Sequence, residues 1–255
     1  MERDFPAEGV ALVVGGSGGL GRAICEALSE SGAAVALTFR GRKDAADQTL
    51  ASIVASGGRA TSHQLDLRDP RSIERAFDEV ASAHASIHTI VYAAGPSIGQ
   101  PYISQVGEQE WLDAMDVELN GFFRLVKVGL PHLRATRGSL VALTSAGVHR
   151  YAVGDILSVA PKAGVEALVR GVAREEGRFG VRANCVAIGV VEAGLFLRLK
   201  EEAFSEQWLE AARKNTALRR FGAASEVGRS VSFLASSAAG FITGQTLAVD
   251  GGYSV

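Results

Sequence analysis

The sequence has very little cysteine, with only Cys25 and Cys185 among its 255 residues. Because one falls in a predicted helix and the other in a predicted strand, they indicate neither a disulfide framework nor a thiolate metal site. The chain also lacks an apolar run of about 20 residues, the length that a membrane-spanning helix requires. Its first residues do not show the basic-then-apolar pattern of a signal peptide. We therefore expect a reduced, cytoplasmic protein with no metal and no membrane partner.

An excess of charge of one sign is also missing. The 26 lysines and arginines nearly balance the 28 aspartates and glutamates, which leaves a formal net charge of −2. This balance gives no reason to expect a nucleic-acid partner. The hydrophobic content of 47% is ordinary for a globular protein, and a chain of this length can bury a large core.

Strand and helix patterns alternate along the chain, with no linker and no low-complexity tract. This alternation predicts an α/β fold in which helices cover both faces of a parallel sheet of about seven strands. The predicted strands are residues 10–14, 35–39, 61–65, 88–92, 139–143, 181–187 and 246–249. Ligands of such sheets bind at the carboxyl ends of the strands, where the connecting loops should converge on one site. The loops concerned follow Val14, Phe39, Leu65, Tyr92, Leu143 and Ala187.

A glycine-rich turn follows the first predicted strand. The seven residues from Gly15 to Gly21 include five glycines, and the apolar residues after them recur at helical spacing. Glycine adopts positive φ angles without strain and lets the backbone approach a pyrophosphate closely. The N-terminus of the following helix would offer unpaired N–H groups to the phosphates. The run therefore indicates a dinucleotide-binding unit, with a glycine turn that binds no ligand as the alternative.

Several short motifs fall in one order along the chain, namely Gly15-x3-Gly19-Leu20-Gly21, Asp66-Leu67, Ala93-Ala94-Gly95, Asn120, Ser145, Lys162, Asn184 and Ile242-Thr243-Gly244-Gln245-x-Leu247-x-Val249-Asp250-Gly251-Gly252. In this order and spacing, the sequence resembles the short-chain dehydrogenase/reductase family over essentially its whole length. The resemblance implies a single Rossmann-type, doubly wound dinucleotide-binding domain over residues 1–255. It also implies a nicotinamide cofactor, a small-molecule substrate and assembly into a homo-dimer or homo-tetramer.

The residues after the second predicted strand favour NADP(H) over NAD(H). An NAD site places a carboxylate there to bond the ribose 2′-hydroxyl, but this chain has Phe39 followed by Arg40 and Arg42. Arginine can hold a 2′-phosphate through two hydrogen bonds, whereas a carboxylate would repel it. Ser17 in the glycine turn could add a hydroxyl donor. A solvated basic loop is the alternative.

The resemblance implies further cofactor contacts. Asp66 and Leu67 match the pair that flanks the adenine, and Ala93-Ala94-Gly95 matches the last three residues of an Asn-Asn-Ala-Gly turn whose first position here is Tyr92. Ile188-Gly189 stands where the family has Pro-Gly beside the nicotinamide. Ordinary turn packing is the alternative for each. The glycine turn itself would contribute Gly15, Ser17, Gly19, Leu20 and Gly21.

The family interconverts carbonyls and alcohols with four side chains. A serine bonds the substrate oxygen, a tyrosine exchanges the proton, a lysine lowers the pKa of the tyrosine, and an asparagine supports a water relay. By the resemblance, Ser145, Lys162 and Asn120 match the serine, the lysine and the asparagine. Lys162 would also bind the cofactor ribose.

The tyrosine of that pattern is missing. Four residues before Lys162, where it belongs, the chain has Ser158. A serine hydroxyl ends roughly 4 Å short of a phenol oxygen on standard bond lengths, and it is far less acidic. Ser158 could instead be the N-cap of the helix, which would place Pro161 in the first turn, where a missing N–H costs little.

Other groups near Ser158 could supply the proton. Tyr151 and His149 lie in the same predicted loop on the substrate side, and histidine is the commoner general acid near neutral pH. A water held by Ser158, Lys162 and Asn120 is a further alternative.

Three functions remain open from the sequence. The first is an NADP(H)-dependent oxidoreductase of a carbonyl/alcohol substrate with an atypical proton-donor site. The second is a catalytically silent NADP(H)-binding member, acting as a sensor or as the partner in a hetero-oligomer. The third is a non-redox enzyme that uses the same pocket for a dehydration or a cyclisation.

Residues 192–218 are predicted to form a helical lid over the substrate pocket. Apolar side chains in this segment suggest an apolar substrate, although the same side chains could simply pack the helices onto the body of the protein. They are Leu195, Phe196, Leu199, Phe204 and Trp208.

Overall fold

Seven parallel strands form one sheet in the computed structural model, which describes residues 4–202 and 204–255. They are β1 (Val10–Val14), β2 (Val35–Phe39), β3 (Ala60–Gln64), β4 (Ile87–Tyr92), β5 (Ser139–Ser145), β6 (Arg182–Ile188) and β7 (Thr246–Val249). Their order across the sheet is β3-β2-β1-β4-β5-β6-β7, so the chain winds outward from β1 to one side and then to the other. This order confirms the predicted doubly wound Rossmann-type fold.

The helices occupy both faces of the sheet, as the alternating pattern predicts. The Asp69 carboxylate accepts a hydrogen bond from the Arg71 N–H at 3.0 Å and so caps the N-terminus of the third helix. No helix within the described ranges is both long and apolar enough to cross a membrane. The helices are α1 (Gly19–Glu30), α2 (Lys43–Ala55), α3 (Pro70–His84), α4 (Glu108–Met115), α5 (Gly121–Thr136), α6 (Ile156–Glu176), α7 (Leu195–Glu202), α8 (Glu206–Lys214) and α9 (Ala224–Ala235).

Successive residues of β1 enter two different hydrophobic cores, because strand side chains alternate between the faces of a sheet. Leu12 packs in the core shared with α3, α5 and α6, which includes Phe77 and Phe122. Val13 packs in the core shared with α1, α2 and α9, which includes Ile24. Each face is therefore sealed by helices, and the ends of the strands are left for a site.

The helical stretch from Glu108 to Thr136 is not one continuous α-helix. One π-helical turn, Asp116–Asn120, joins α4 to α5. Such turns are rare and often lie at functional sites. Hydrophobic spacing alone does not distinguish a π turn from an α turn, so this turn was not predictable from the apolar pattern.

The helix α6 begins earlier than predicted, so Ser158 is not its N-cap. Asp155 precedes the helix, and the Ser158 N–H donates to the Asp155 carbonyl at 3.1 Å within the first turn. Gly154, with a φ of 82°, turns the chain into the helix ahead of the apolar pattern. Pro161 therefore lies inside the helix, where it removes the N–H that would bond the Leu157 carbonyl.

The glycine turn between β1 and α1 has no room for side chains. Gly15 has a φ of 88°, and its N–H donates to the Thr38 hydroxyl of β2 at 3.1 Å. A Cβ on Gly21 would lie 2.2 Å from the Gly15 carbonyl oxygen. A Cβ on Gly19 would lie 2.8 Å from the backbone nitrogen of Gly194, at the start of the segment 192–218.

The segment 192–218 contains α7 and α8, as the sequence predicts. Phe196 and Leu209 pack with Phe221 in a small hydrophobic cluster of their own. The side chain of Leu195, which was named above, lies outside the described part of the structure. Residue Ala203 of the same segment also lies outside it.

Replacing Gly21 by alanine is expected to lower the free energy of unfolding by about 1–3 kcal/mol, because the new Cβ overlaps the Gly15 carbonyl. The matched control is Gly171→Ala in α6, where a Cβ meets no atom within 4 Å. That change should stabilise the protein by about 0.5–1 kcal/mol, since alanine is the better helix former. Urea unfolding measures both; equal effects of the two changes would contradict the crowding of the turn.

Candidate active site

A cavity of about 570 Å³ opens at the carboxyl ends of β5 and β6. Its walls come from the loop between β5 and α6, from the end of β6, and from α7 and α8. Leu20, at the start of α1, also reaches it, so the cavity adjoins the glycine turn. This is the edge of the sheet where the sequence predicts the loops to converge.

Ser145 ends β5 on the wall of this cavity. Its Oγ accepts a hydrogen bond from the Gly147 N–H at 3.1 Å, which fixes the side chain. A hydroxyl that accepts one bond still has its own proton to donate. The structure therefore places Ser145 where a substrate oxygen could receive a hydrogen bond.

Lys162 forms a buried ion pair with Glu118 of the π turn. The Lys162 Nζ lies 3.1 Å from Glu118 Oε2, and the Glu118 side chain is 1% exposed. The other carboxylate oxygen of Glu118 has no hydrogen-bond partner among the described residues. It lies 3.0 Å from the position that a Cβ on Gly95 would take, so a side chain at position 95 would press on the Glu118 carboxylate.

Asn120 does not reach this cluster, contrary to the role that the resemblance implies. Its side chain is exposed, and its amide donates to the Asp116 carboxylate at 3.3 Å. Residues two positions apart in a helix lie on nearly opposite sides of it, because each residue turns the chain by roughly 100°. Glu118 faces Lys162 and Asn120 therefore faces away.

Tyr92 fixes the π turn from the sheet. Its hydroxyl donates to the Glu118 carbonyl at 3.1 Å, and its ring packs on Phe122 with 4.9 Å between centroids. Burial, together with the charge of Glu118, holds the pKa of the Tyr92 phenol well above its ordinary value. Tyr92 thus stays a neutral donor and supplies a brace where the family has an asparagine.

The residues considered as proton donors lie in three different environments. Ser158 is half-buried in the first turn of α6 and is not among the described residues that line the cavity. Tyr151 does line the cavity, although its side chain is 46% exposed. His149 is directed at α6 instead, with Nε2 3.3 Å from the buried Glu166 carboxylate, which also accepts from the Thr144 hydroxyl.

Asp155 is a further acidic group on the cavity wall, and the sequence analysis did not select it. Asp155 lines the cavity together with Ser145 and Gln100. Burial raises the pKa of the Asp155 carboxyl to about 6, although the charge of Lys162 and a hydrogen bond with Gln100 lower it. The sequence feature that could have identified Asp155 is its position as an acidic residue at the start of a helix, three residues before Ser158. Glu118 could have been identified in the same way, because it is an acidic residue between the apolar residues Val117 and Leu119.

The predicted cofactor groove starts at the glycine turn between β1 and α1. A side chain at Gly15, Gly19 or Gly21 would overlap neighbouring backbone atoms, so glycine at these positions fits a turn that a dinucleotide phosphate must approach closely. The exposed Arg42 reaches over the turn, with Nη2 3.9 Å from the position of a Cβ on Gly18. Arg40, also exposed, follows β2.

The other predicted cofactor positions lie at strand ends. Asp66 pairs with Arg68 at 3.1 Å, which lowers the pKa of the Asp66 carboxyl, and Leu67 is buried against Gly121. The backbone of Ala94 touches the glycine turn, 2.7 Å from the position of a Cβ on Gly15. The predicted groove also includes Ser17, Leu20, Ala93, Gly95, Ile188 and Gly189. Among the described residues, no group of three His, Cys, Asp or Glu side chains is placed to hold a metal ion.

Comparison with known proteins defines the class to which this fold and site belong. A family model described as enoyl-(acyl carrier protein) reductase matches residues 14–254. The chain is 34% identical over 243 residues to the 3-oxoacyl-[acyl-carrier-protein] reductase FabG of Staphylococcus epidermidis, covering 95% of this chain and 97% of that protein. It is 32% identical over 256 residues to the versicolorin reductase stcU of Emericella nidulans, covering 95% and 94%.

Solved structures agree with these sequence matches. A dehydrogenase/reductase from Sinorhizobium meliloti superposes with a TM-score of 0.91 at 28% identity, covering 99% of this chain and 98% of that one. A short-chain dehydrogenase/reductase from Serratia marcescens gives a TM-score of 0.89 at 25% identity, covering 98% and 100%. The chain belongs to the short-chain dehydrogenase/reductase family of oxidoreductases.

Replacing Glu118 by glutamine is expected to lower the free energy of unfolding by about 3 kcal/mol, because it leaves the largely buried Lys162 ammonium without its counter-charge. Asn120→Ala is the matched control in the same π turn, and it should change the free energy by less than about 0.5 kcal/mol because Asn120 is exposed. Urea unfolding near neutral pH measures both. A larger cost at Asn120 than at Glu118 would show that the π turn is oriented the other way.

Proposed function

We propose that this protein is an NADP(H)-dependent oxidoreductase that interconverts a carbonyl and an alcohol in a small, partly apolar substrate, using an atypical proton donor. The observation that carries the proposal is the position of Ser145 on a cavity that also reaches Leu20 beside the glycine turn. A nicotinamide bound there would supply or accept the hydride. The protein itself holds the cofactor, orients the substrate oxygen and moves a proton.

The choice of NADP(H) rests on the charge at the end of β2. Phe39 stands where a ribose-binding carboxylate would otherwise be, and the exposed Arg40 and Arg42 follow it. Because Arg42 lies over the glycine turn, a 2′-phosphate in this groove would gain charge-assisted hydrogen bonds. Ser17 adds a hydroxyl on the same turn.

Ser145 and Lys162 are proposed to act on opposite sides of the reacting groups. Ser145 donates its hydroxyl proton to the substrate oxygen. The Lys162 ammonium has three donors, of which one is directed at Glu118 and the others can bind the ribose hydroxyls. The relatives are named as reductases, among them 3-oxoacyl reductases, which supports a carbonyl as the group that is reduced.

The segment 192–218 is proposed to act as the lid of the substrate pocket. The rings of Phe204 and Trp208 stack with 3.6 Å between centroids, and both side chains line the cavity with Phe196. The Arg198 guanidinium of α7 also donates to the Ser97 hydroxyl in the loop after β4. An apolar acyl or ring system would bury these aromatic faces, which supports an apolar substrate.

A catalytically silent or non-redox role is the second candidate, and one observation favours it. The Lys162 ammonium is already balanced by the Glu118 carboxylate, and Ser158 offers no phenol for it to acidify. A silent member would bind NADPH without turnover, while a non-redox enzyme would form product without consuming NADPH. Absorbance of NADPH at 340 nm, followed with a panel of ketones and aldehydes, separates these candidates from the proposed oxidoreductase.

We also propose the homo-dimer or homo-tetramer that the family resemblance implies. Leu112 of α4 and Phe123 of α5 are 51% and 53% exposed, which leaves apolar surface for a second copy. Light scattering coupled to gel filtration gives the mass in solution directly.

Replacing Arg42 by alanine should raise the Kd for NADPH about 10–100-fold, since a charge-assisted hydrogen bond contributes about 1.5–3 kcal/mol. The Kd for NADH should stay within about twofold, because NADH carries no 2′-phosphate. Fluorescence titration measures both constants, and Arg71→Ala, on the exposed start of α3, is the control. An equal loss of NADH and NADPH affinity would show that Arg42 does not read the 2′-phosphate.

Ser145→Ala should lower kcat about 10²–10³-fold, the usual cost of removing one hydrogen bond to a reacting oxygen. The Kd for NADPH should remain within about twofold, and Ser145→Thr should restore part of the rate because it keeps the hydroxyl. Steady-state kinetics on the best ketone of the panel gives the result. Unchanged kcat in the alanine variant would remove Ser145 from the reaction.

A further inference from the structure

A carbonyl reduced in this cavity needs a proton. Ser158, which stands at the position of the family tyrosine, cannot deliver it. Ser158 is not among the described residues that line the cavity, and its side chain does not reach as far as that of a tyrosine. We propose that Asp155 is the general acid–base residue of this site and exchanges a proton with the substrate oxygen held by Ser145. The inference rests on the carbonyl/alcohol chemistry proposed above and assigns its missing proton donor.

The carboxyl group of Asp155 lies close to Ser145. Asp155 Oδ2 is 3.3 Å from the position that a Cβ on Gly147 would take, and the Gly147 N–H is itself bonded to Ser145 Oγ at 3.1 Å. The carboxyl and the hydroxyl thus flank one glycine. A side chain at position 147 would fill the space between them, so Gly147 keeps this part of the wall open.

The helix α6 sets the direction of the Asp155 side chain. Asp155, Ser158 and Lys162 are three and four residues apart, which places all three on one side of the helix. Asp155 stands at the N-cap position, but its side chain makes no capping hydrogen bond to the backbone. The carboxyl is therefore not used to close the end of its own helix, and Asp155 is one of the residues that line the cavity.

The groups around Asp155 suit a proton carrier. Lys162 on α6 attracts the carboxylate, and Gln100 from the loop after β4 shares a hydrogen bond with it. The remaining charged or titratable groups on the cavity wall are Arg150 and Tyr151 from the loop before α6, and Tyr253 near the C-terminus. The Arg150 guanidinium donates to the Tyr253 carbonyl at 2.7 Å and lies over its ring, so it is directed away from Asp155.

Burial outweighs these favourable contacts and raises the pKa of Asp155 to about 6. A carboxyl group with this pKa is partly protonated near neutral pH, which is the condition for a general acid that must also be regenerated. Tyr151, the other acidic side chain considered for this task, sits on the exposed rim with 46% of its surface in solvent.

With Asp155 as the proton donor, every bond and electron pair in the reduction of the carbonyl is accounted for. The substrate carbonyl carbon gains a hydride from NADPH to form a C–H bond, and the electron pair of the carbonyl π bond moves to oxygen. The O–H bond of the Asp155 carboxylic acid breaks, and its proton forms the O–H bond of the alcohol. The Asp155 carboxylate that remains is stabilised by Lys162 and takes up a proton from water. Alcohol oxidation runs the same steps in reverse.

The test compares the wild-type protein with Asp155→Asn, which keeps the size of the side chain. The variant should lose about 10²–10⁴-fold in kcat for ketone reduction, while the Kd for NADPH stays within about twofold. Because the donor must be protonated, wild-type kcat should fall as pH rises above about 6, and this dependence should disappear in the variant. Asp78→Asn, on the exposed side of α3, is the matched control and should keep the wild-type rate and pH profile.

Two further measurements keep the proposal falsifiable if the asparagine variant folds poorly. Added formate should restore part of the activity of Asp155→Ala by supplying a small carboxylic acid. Carbon-13 NMR of wild-type protein labelled at the aspartate carboxyls should show one resonance that titrates near pH 6 in the absence of any substrate.

The possible failures are distinguishable. If the wild-type protein consumes NADPH with ketones and Asp155→Asn matches it in kcat and pH profile, the Asp155 assignment is overturned and the proposed function stands. The absence of an aspartate titrating near pH 6 in the wild-type spectrum would overturn it as well. If the wild-type protein consumes no NADPH with any carbonyl, the proposed function falls, and this inference falls with it.

Discussion

The buried ion pair between Lys162 and Glu118 is the interaction on which the rest of the site depends. Two charges removed from water are tolerated only when they are paired, and losing one partner of such a pair typically costs about 3–5 kcal/mol. Here the pair joins α6 to the π turn, and the Tyr92 hydroxyl fixes the same turn to β4. The ion pair thus determines how α6 and the π turn are positioned relative to the sheet and the cavity wall.

The same pair changes the acid–base chemistry that is available. An ammonium beside an unpaired phenol lowers the pKa of that phenol, but an ammonium that is already neutralised has less influence on a further group. Lys162 is committed to Glu118, and the phenol is absent. The acid–base group with a shifted pKa on the cavity wall is instead a carboxyl, Asp155, at the start of the same helix. In the proposed chemistry, the proton therefore comes from a residue three positions before Ser158.

Sequence patterns predicted the scaffold because its determinants are local. Apolar β-branched runs specify buried strands such as β1 and β2, and side chains on Gly15, Gly19 or Gly21 would overlap neighbouring backbone atoms. The site was less predictable because helical spacing does not reveal a π turn, so Asn120 was selected and Glu118, two residues earlier, was not. The start of α6 depended on the positive φ of Gly154, and for that reason Ser158 was mistaken for a cap and Asp155 was overlooked.

Pro161 has a consequence for the first turns of α6. It cannot donate the backbone hydrogen bond to the Leu157 carbonyl that an ordinary residue at this position would make. The turn that carries Asp155 and Ser158 is therefore joined less firmly to the rest of the helix. A tyrosine placed at position 158 would lie in this turn, beside an ammonium that already pairs with Glu118. The phenol alone would therefore leave the ion pair of the site in place.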